Sequence, residues 1–195
     1  MSFVGLPAIV RRFYEEQAGL KPGDLVVLGV SGGVDSMALA HASLETVGET
    51  GLNFLIAHFD HDLHQDSAAN ADFVRRYADS VGIEFELGTG RVDVLARERK
   101  LGVEEAARKL RYQFLHAVQV KSAARSVAVA HTRDDQAETV LLRLIRGAGL
   151  RGLTAMQPVG HSVIRPLLEL HREEIERYAA GTGLEHQDDP TNKRL

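Results

Sequence analysis

A chain of 195 residues, 44% apolar and 26% charged, has the size and make-up of one soluble globular domain with enough apolar side chains for a sizeable core. No apolar run approaches the roughly 20 residues of a membrane span, and Met1–Pro7 lacks a basic region followed by an apolar stretch, so no membrane association and no secretory leader are expected, and a cytoplasmic location is. The absence of cysteine excludes a disulfide framework, a thiolate metal site and a thiol nucleophile within this chain, and a net charge of −4 is not that of a free-standing nucleic-acid binder. Either the partner is small, or contacts to nucleic acid are local or belong to segments outside the chain.

Leu25–Val30 is apolar and branched and reads as a fully buried strand. It runs into Ser31-Gly32-Gly33-Val34-Asp35-Ser36, with a helical segment from about Ser36 to Val47 behind it. Phe54–Ala57 predicts a second buried strand, followed by His58-Phe59-Asp60-His61, and Ile83–Leu87 alternates like a half-buried third. Val103 to Lys121 carries Ala107, Leu110, Phe114 and Val118 at helical spacing. Val127–Ala130 is a shorter strand candidate that leads into His131-Thr132-Arg133-Asp134-Asp135. Next comes a helix whose apolar face is Ala137, Val140, Leu141, Leu144 and Ile145. Glycines between Gly147 and Gly152 predict a mobile loop, and Val163–Arg165 a last short strand. Strands alternating with helices predict an α/β fold, a Rossmann-like parallel sheet of about five strands with helices on both faces. Ligands of such sheets bind beyond the carboxyl ends of the strands, where three of these strands meet polar clusters.

The first cluster has the strongest chemistry. Gly32 and Gly33 let backbone amides approach a ligand, and the helix start behind them favours an anion. Ser31 and Ser36 offer hydroxyls to phosphate oxygens, and Asp35 would repel phosphates unless a cation intervened, which Mg2+ held between Asp35 and the phosphates would resolve. The bland alternative is a tight strand–helix turn with a serine cap. His58, His61 and His64 are spaced three apart, with Asp60 and Asp62 between them. They could ligate zinc, but hydrogen-bonding histidines at a strand end are the reading that the expected geometry favours.

Ser31–Ser36 resembles the SGGxDS pyrophosphate-binding loop of N-type ATP pyrophosphatases, an adenine nucleotide alpha hydrolase-like fold. Further segments are similar, in order, to the tRNA(Ile)-lysidine synthetase family. They are Ala57–Leu63, Glu104–Tyr112 (EEAARKLRY), Ala130–Thr139 (AHTRDDQAET), Arg146-Gly147 through Gly152-Leu153 and Met156, Arg165–Leu168, and Asp189–Asn192. The chain departs from that family at Asp62, His64 and Thr132, where Gly, Arg and a second His are usual.

The resemblance implies a single N-terminal ATP-pyrophosphatase catalytic domain over residues 1–195. The family's C-terminal tRNA-binding domains are absent from this chain, whose end at Asp188–Leu195 reads as that of a piece of a longer protein. It implies ATP and Mg2+ as cofactors, and tRNA(Ile) with a wobble cytidine and free L-lysine as partners; two copies could also pair as a homodimer. The implied reaction adenylates the C2 oxygen of the cytidine, releasing pyrophosphate, and the ε-amine of lysine then displaces AMP. ATP would meet Ser31, Gly32, Gly33, Val34, Asp35 and Ser36, with adenine beside the backbone of His58, Phe59 and Asp60; Asp35 would hold the metal through the phosphates.

Asp35, Arg111, Asp135 and Glu138 are the expected catalytic residues. Asp135 and Glu138, three apart on one helix face, suit recognition and deprotonation of an ammonium group. Asp135 could instead merely close a capping box with Thr132. Arg108 and Arg111 share a face and suit phosphate or base contacts, Arg111 being preferred, although an amphipathic helix also turns arginines to solvent. His131, Arg143, Arg146, Arg151 and Arg165 are further candidates for substrate or tRNA contacts. The rival readings are a tRNA thiolase or an amide synthetase of the same superfamily, and a sensor that binds ATP without turnover. A thiolase is disfavoured by the lack of cysteine.

Overall fold

The computed structural model describes residues 5–61, 67–145, 147 and 156–187. In them Leu25–Gly29 (β1), Asn53–Asp60 (β2), Phe85–Thr89 (β3), Ser126–Val129 (β4) and Val163–Ile164 (β5) form one parallel sheet in the order β3-β2-β1-β4-β5. The helices are Leu6–Arg12 (α1), Val34–Glu45 (α2), Val47–Thr50 (α3), Ser67–Ser80 (α4), Val92–Arg99 (α5), Val103–Lys121 (α6), Arg133–Ile145 (α7) and Arg172–Thr182 (α8), with a π-helical turn, Phe13–Gln17, continuing α1. Among the described residues no helix is long and apolar enough to cross a membrane. Asp62, His64, Arg146, Arg151, most of the glycine-rich stretch and the Asp189–Asn192 motif lie outside the described residues.

The central strand is apolar throughout because both of its faces are covered. Val26 and Leu28 join the larger core with Val10, Leu39, Val74 and Ile175, which belong to α1, α2, α4 and α8. Val27 faces the other way, with Leu55, Leu115 and Val118, the last two from α6. The chain builds the sheet outward from β1 through β2 to β3, then returns to lay β4 on the other side of β1. The order reverses there, so the carboxyl ends of β1 and β4 flank the crevice in which such sheets hold ligands.

Three expectations shift. β2 continues past Ala57 to Asp60, since His58 and Phe59 are buried in spite of the polar neighbourhood. β3 starts at Phe85 rather than Ile83. The apolar positions of α7 do not face the core: it buries no residue, and Leu141, Leu144 and Ile145 are 57%, 51% and 81% exposed.

One buried polar contact ties α2 to the turn after α1: Tyr14 Oη lies 2.7 Å from Ser43 Oγ, which donates to the Leu39 carbonyl at 2.7 Å. Since the Ser43 hydrogen is used there, Tyr14 is the donor, and burial pushes its hydroxyl above its usual range. Tyr14→Phe removes that donor without a cavity, so a loss of about 1 kcal/mol is expected in urea unfolding. A loss several times larger would mean that the ring itself had moved.

Candidate active site

Helix α2 begins at Val34, two residues before the expected start, because Gly33 takes the extended conformation of an N-cap (φ −72°, ψ 160°). Among the described residues no side chain caps this end, which leaves first-turn amides available to a ligand. The two preceding amides are spent internally: Ser31 N–H and Gly32 N–H donate to Ser36 Oγ at 3.1 and 3.2 Å. The Ser36 hydroxyl in turn donates to the Gly33 carbonyl at 2.9 Å, and Ser31 Oγ donates to Ser36 Oγ at 3.1 Å. In this arrangement Ser36 organises the loop from within instead of offering its hydrogen to phosphate.

Two residues that sequence reasoning missed brace the loop from outside. Asn70 Nδ2 donates to the Ser31 carbonyl at 2.9 Å, and Gln187 N–H donates to the Gly32 carbonyl at 2.9 Å.

Asp35 stands in the first turn of α2, half-screened by its neighbours. Its Oδ2 accepts from Arg172 Nη2 at 3.2 Å, while Oδ1 is buried with no hydrogen-bond partner among the described residues. Burial pushes its pKa up to about 6; Arg172 pulls it down, and Asp135 and Glu176 add to the rise. A helix N-terminus favours a carboxylate, yet here desolvation outweighs it.

Beyond the loop a cleft of about 1890 Å³ opens, lined among others by Ser31, Asp35, Phe59, Arg111, Asp135 and Glu138. His58 is 3% exposed and its Nδ1 lies 2.8 Å from the Val30 carbonyl. An acceptor there fixes the hydrogen on Nδ1, and burial keeps the ring below its usual pKa. This is the strand-end histidine that the spacing allowed. Phe59 packs edge-on to His61 at 5.0 Å and against Phe114 at 5.6 Å, and the Asp60 end of β2 borders the cleft.

At the start of α7, Thr132 and Asp135 do form the capping box: Thr132 N–H donates to Asp135 Oδ2 at 2.7 Å, and Asp135 N–H to Thr132 Oγ1 at 3.3 Å. The other oxygen, Oδ1, lies 3.8 Å from Arg172 Nη2. So the carboxylate holds the helix start with one oxygen and faces the cleft cation with the other. Glu138, one turn on, is exposed at the cleft wall. Gln136 between them grips Met156 twice, donating Nε2–H to its carbonyl at 3.0 Å and accepting its N–H at 2.7 Å.

Arg111 and Arg108 flank Tyr112, with guanidinium carbons 5.6 and 5.2 Å from the ring centre. Both line the cleft, and Arg111 Nε is buried with no hydrogen-bond partner among the described residues. Burial holds its pKa below the usual guanidinium value. His131 borders the same space; burial, with Arg108, Arg111 and Arg165 adding to it, pushes its pKa down to about 3. Its ring is therefore held in the neutral form, with one N–H left as a donor.

Two candidates do not line the cleft, although the charge of Arg165 reaches His131 at its border. Arg143 stands in the last turn of α7 and does not line the cleft. Arg165 lines a separate cavity of about 190 Å³ and donates Nη1–H to the Gln157 carbonyl at 2.8 Å. Among the described residues no group of three or more His, Cys, Asp or Glu could hold a metal ion.

A glycine loop with an uncapped helix start at the switch point of a parallel sheet defines a nucleotide-phosphate-binding α/β domain. The chain belongs to the PP-loop domain family, which it matches over residues 7–195. It is 44% identical over 187 residues to a tRNA(Ile)-lysidine synthase of Geobacter sulfurreducens, covering 94% of this chain and 39% of that protein. A tRNA(Ile)-lysidine synthase of Thermus thermophilus is 42% identical over 187 residues, 94% of this chain and 35% of that protein. The chain thus spans about two-fifths of the length of the curated relatives it matches.

Among solved structures, a U34-tRNA thiolase from Methanococcus maripaludis with its 4Fe-4S cluster superposes with a TM-score of 0.80 at 18% identity, covering 97% of this chain and 67% of that one. An NH3-dependent NAD synthetase from Campylobacter jejuni gives 0.63 at 16% identity, covering 92% and 72%. At these identities the likeness is one of fold, and this chain has none of the cysteines that ordinarily hold an iron–sulfur cluster.

Proposed function

We propose that this chain is the catalytic domain of a tRNA(Ile)-lysidine synthase, a cytoplasmic ligase that joins free lysine to C2 of the wobble cytidine with cleavage of ATP to AMP and pyrophosphate. The observation that carries this reading is the orphaned Asp35 oxygen beside the uncapped start of α2, in a cleft that Asp135 and Glu138 also line. The cleft exceeds the roughly 300–1,000 Å³ usual for one small ligand, as a site for a nucleotide plus a second substrate must.

In this reading the first-turn amides of α2 bind the departing pyrophosphate. The donor set fits a divalent cation, since a buried carboxylate oxygen with no partner beside expected phosphates is what Mg2+ would satisfy. When bound, Mg2+ would draw charge from the leaving phosphates. Arg111, a guanidinium with donor capacity left in the cleft, suits the phosphate or the oxygen of the base.

Adenylation is needed because the C2 oxygen of cytosine is a poor leaving group. The oxygen bonds to the α-phosphorus as pyrophosphate departs; then the lysine amine bonds to C2 and AMP leaves with that oxygen. Lysine with a pKa near 10.4 must first lose a proton, which at pH 7 costs about 4.6 kcal/mol. In this reading the carboxylates of Asp135 and Glu138 bind the ammonium and receive that proton.

Incubation with ATP, Mg2+, lysine and tRNA(Ile) should release AMP and pyrophosphate and add the mass of lysine, less water, to one cytidine. Formation of ADP and phosphate would overturn the assigned cleavage. ATP binding without turnover, in the full-length protein as well, would favour the sensor. Without Mg2+ the reaction should stop.

A further inference from the structure

Arg172, the first residue of α8, escaped the sequence reading because nothing near it in the chain carries chemistry. The fold brings it across 137 positions to Asp35. Three contacts fix it there. Its backbone N–H donates to Asp134 Oδ2 at 2.8 Å, which joins the starts of α8 and α7. Its Nη2 donates to Asp35 Oδ2 at 3.2 Å and lies 3.8 Å from Asp135 Oδ1. One turn before the end of α8, Tyr178 Oη lies 2.7 Å from His41 Nδ1 on α2, so the two helices are bound together beyond the site as well.

The distribution of oxygens is the telling point. Asp135 spends Oδ2 on its cap and turns Oδ1 toward Arg172. Asp35 spends Oδ2 on Arg172, and its Oδ1, buried, is left for something else. Two carboxylates facing one cleft repel each other, and the guanidinium between them offsets that repulsion.

We propose that Arg172 is a positioning residue of the reaction: it turns Asp35 so that Oδ1 meets the metal-bound phosphates, and it holds Asp135 at a set place beside it. It touches neither reacting atom; it acts through the two carboxylates. The inference rests on the proposed function, in which Asp35 serves a divalent cation.

The test is calorimetric titration of the 195-residue chain with ATP alone and with ATP plus Mn2+, together with thermal unfolding. Outer partners of metal ligands are typically worth 10–100-fold in metal affinity, and Arg172→Gln is expected to weaken Mn2+–ATP binding by about that factor while metal-free ATP binding barely moves and the melting temperature falls only modestly, as the two carboxylates lose their shared counter-charge. Arg172→Lys, which keeps the charge on a shorter stem without the planar fork, should lose roughly three- to tenfold.

Equal Mn2+–ATP affinity in Arg172→Gln and wild type would overturn the role, and so would equal losses with and without metal, which mark a merely structural arginine. If Arg172→Gln does not fold, Arg172→Lys decides: an intermediate loss confined to the metal-bound form supports the role, and no loss overturns it. A wild-type chain indifferent to Mn2+ would remove both this role and the metal-assisted reading of Asp35, whereas a metal-dependent wild type matched by Arg172→Gln would remove the role alone.

Discussion

Asp35→Asn is expected to reduce ATP cleavage by roughly a hundred- to a thousandfold, the usual effect of removing one group that stabilises charge in a transition state, without unfolding the protein. Stability should move the other way. Asp35 has a folded pKa of about 6 against an ordinary 3.8, raised chiefly by burial. Between those values the folded chain holds more protons than the unfolded one, so stability falls as pH rises through the window and stays reduced above it.

Asparagine carries no charge and escapes that loss. The melting temperature of Asp35→Asn at pH 7 should therefore equal or exceed that of wild type, and the difference should close below about pH 4. An inactive variant that is also markedly less stable at pH 7 would mean that Asp35 serves the fold and not the leaving group. Active sites commonly trade stability in this way.

The second large effect is expected of Gly32→Ala. Gly32 has φ +95°, in the region that side chains rarely adopt, and a Cβ there would run into Asn70 Oδ1. Holding a non-glycine residue in such a region costs on the order of 1–3 kcal/mol. Asn70 cannot simply withdraw, because its Nδ2 holds the Ser31 carbonyl. In the proposed reading, relief by rotating the loop would shift the first-turn amides of α2 away from the phosphates. ATP affinity should fall by at least about tenfold, with a loss of stability of that order in urea unfolding. Adding Asn70→Ser should restore part of the stability, since it removes the collision but not the unfavourable φ. Full ATP affinity in Gly32→Ala would show that the loop does not approach a ligand through its backbone.

What could be read from the sequence was what neighbouring residues determine. β1 is legible because Leu25 to Leu28 must be apolar on both faces, and the loop behind it because Gly32 needs a positive φ. The Thr132–Asp135 box was visible in a spacing of three. The boundaries moved where tertiary contact overrides local pattern: His58 and Phe59 extend β2 because the Val30 carbonyl and the Phe114 ring bury them. The apolar positions of α7 resembled a core face, but periodicity says only that a stripe exists and not what it meets; Leu141 and Ile145 remain exposed. Arg172, Asn70 and Gln187 carry no local signature: each lies near a helix end or in an ordinary amphipathic stretch, and each meets the loop or Asp35 only through what the fold sets beside it.

The bond from Gln187 N–H to the Gly32 carbonyl has a mechanical consequence. That carbonyl belongs to the turn between β1 and α2, and the main chain behind α8 is tethered to it. Any movement of that turn is thereby opposed by backbone 155 positions away, with no side chain needed as an intermediary.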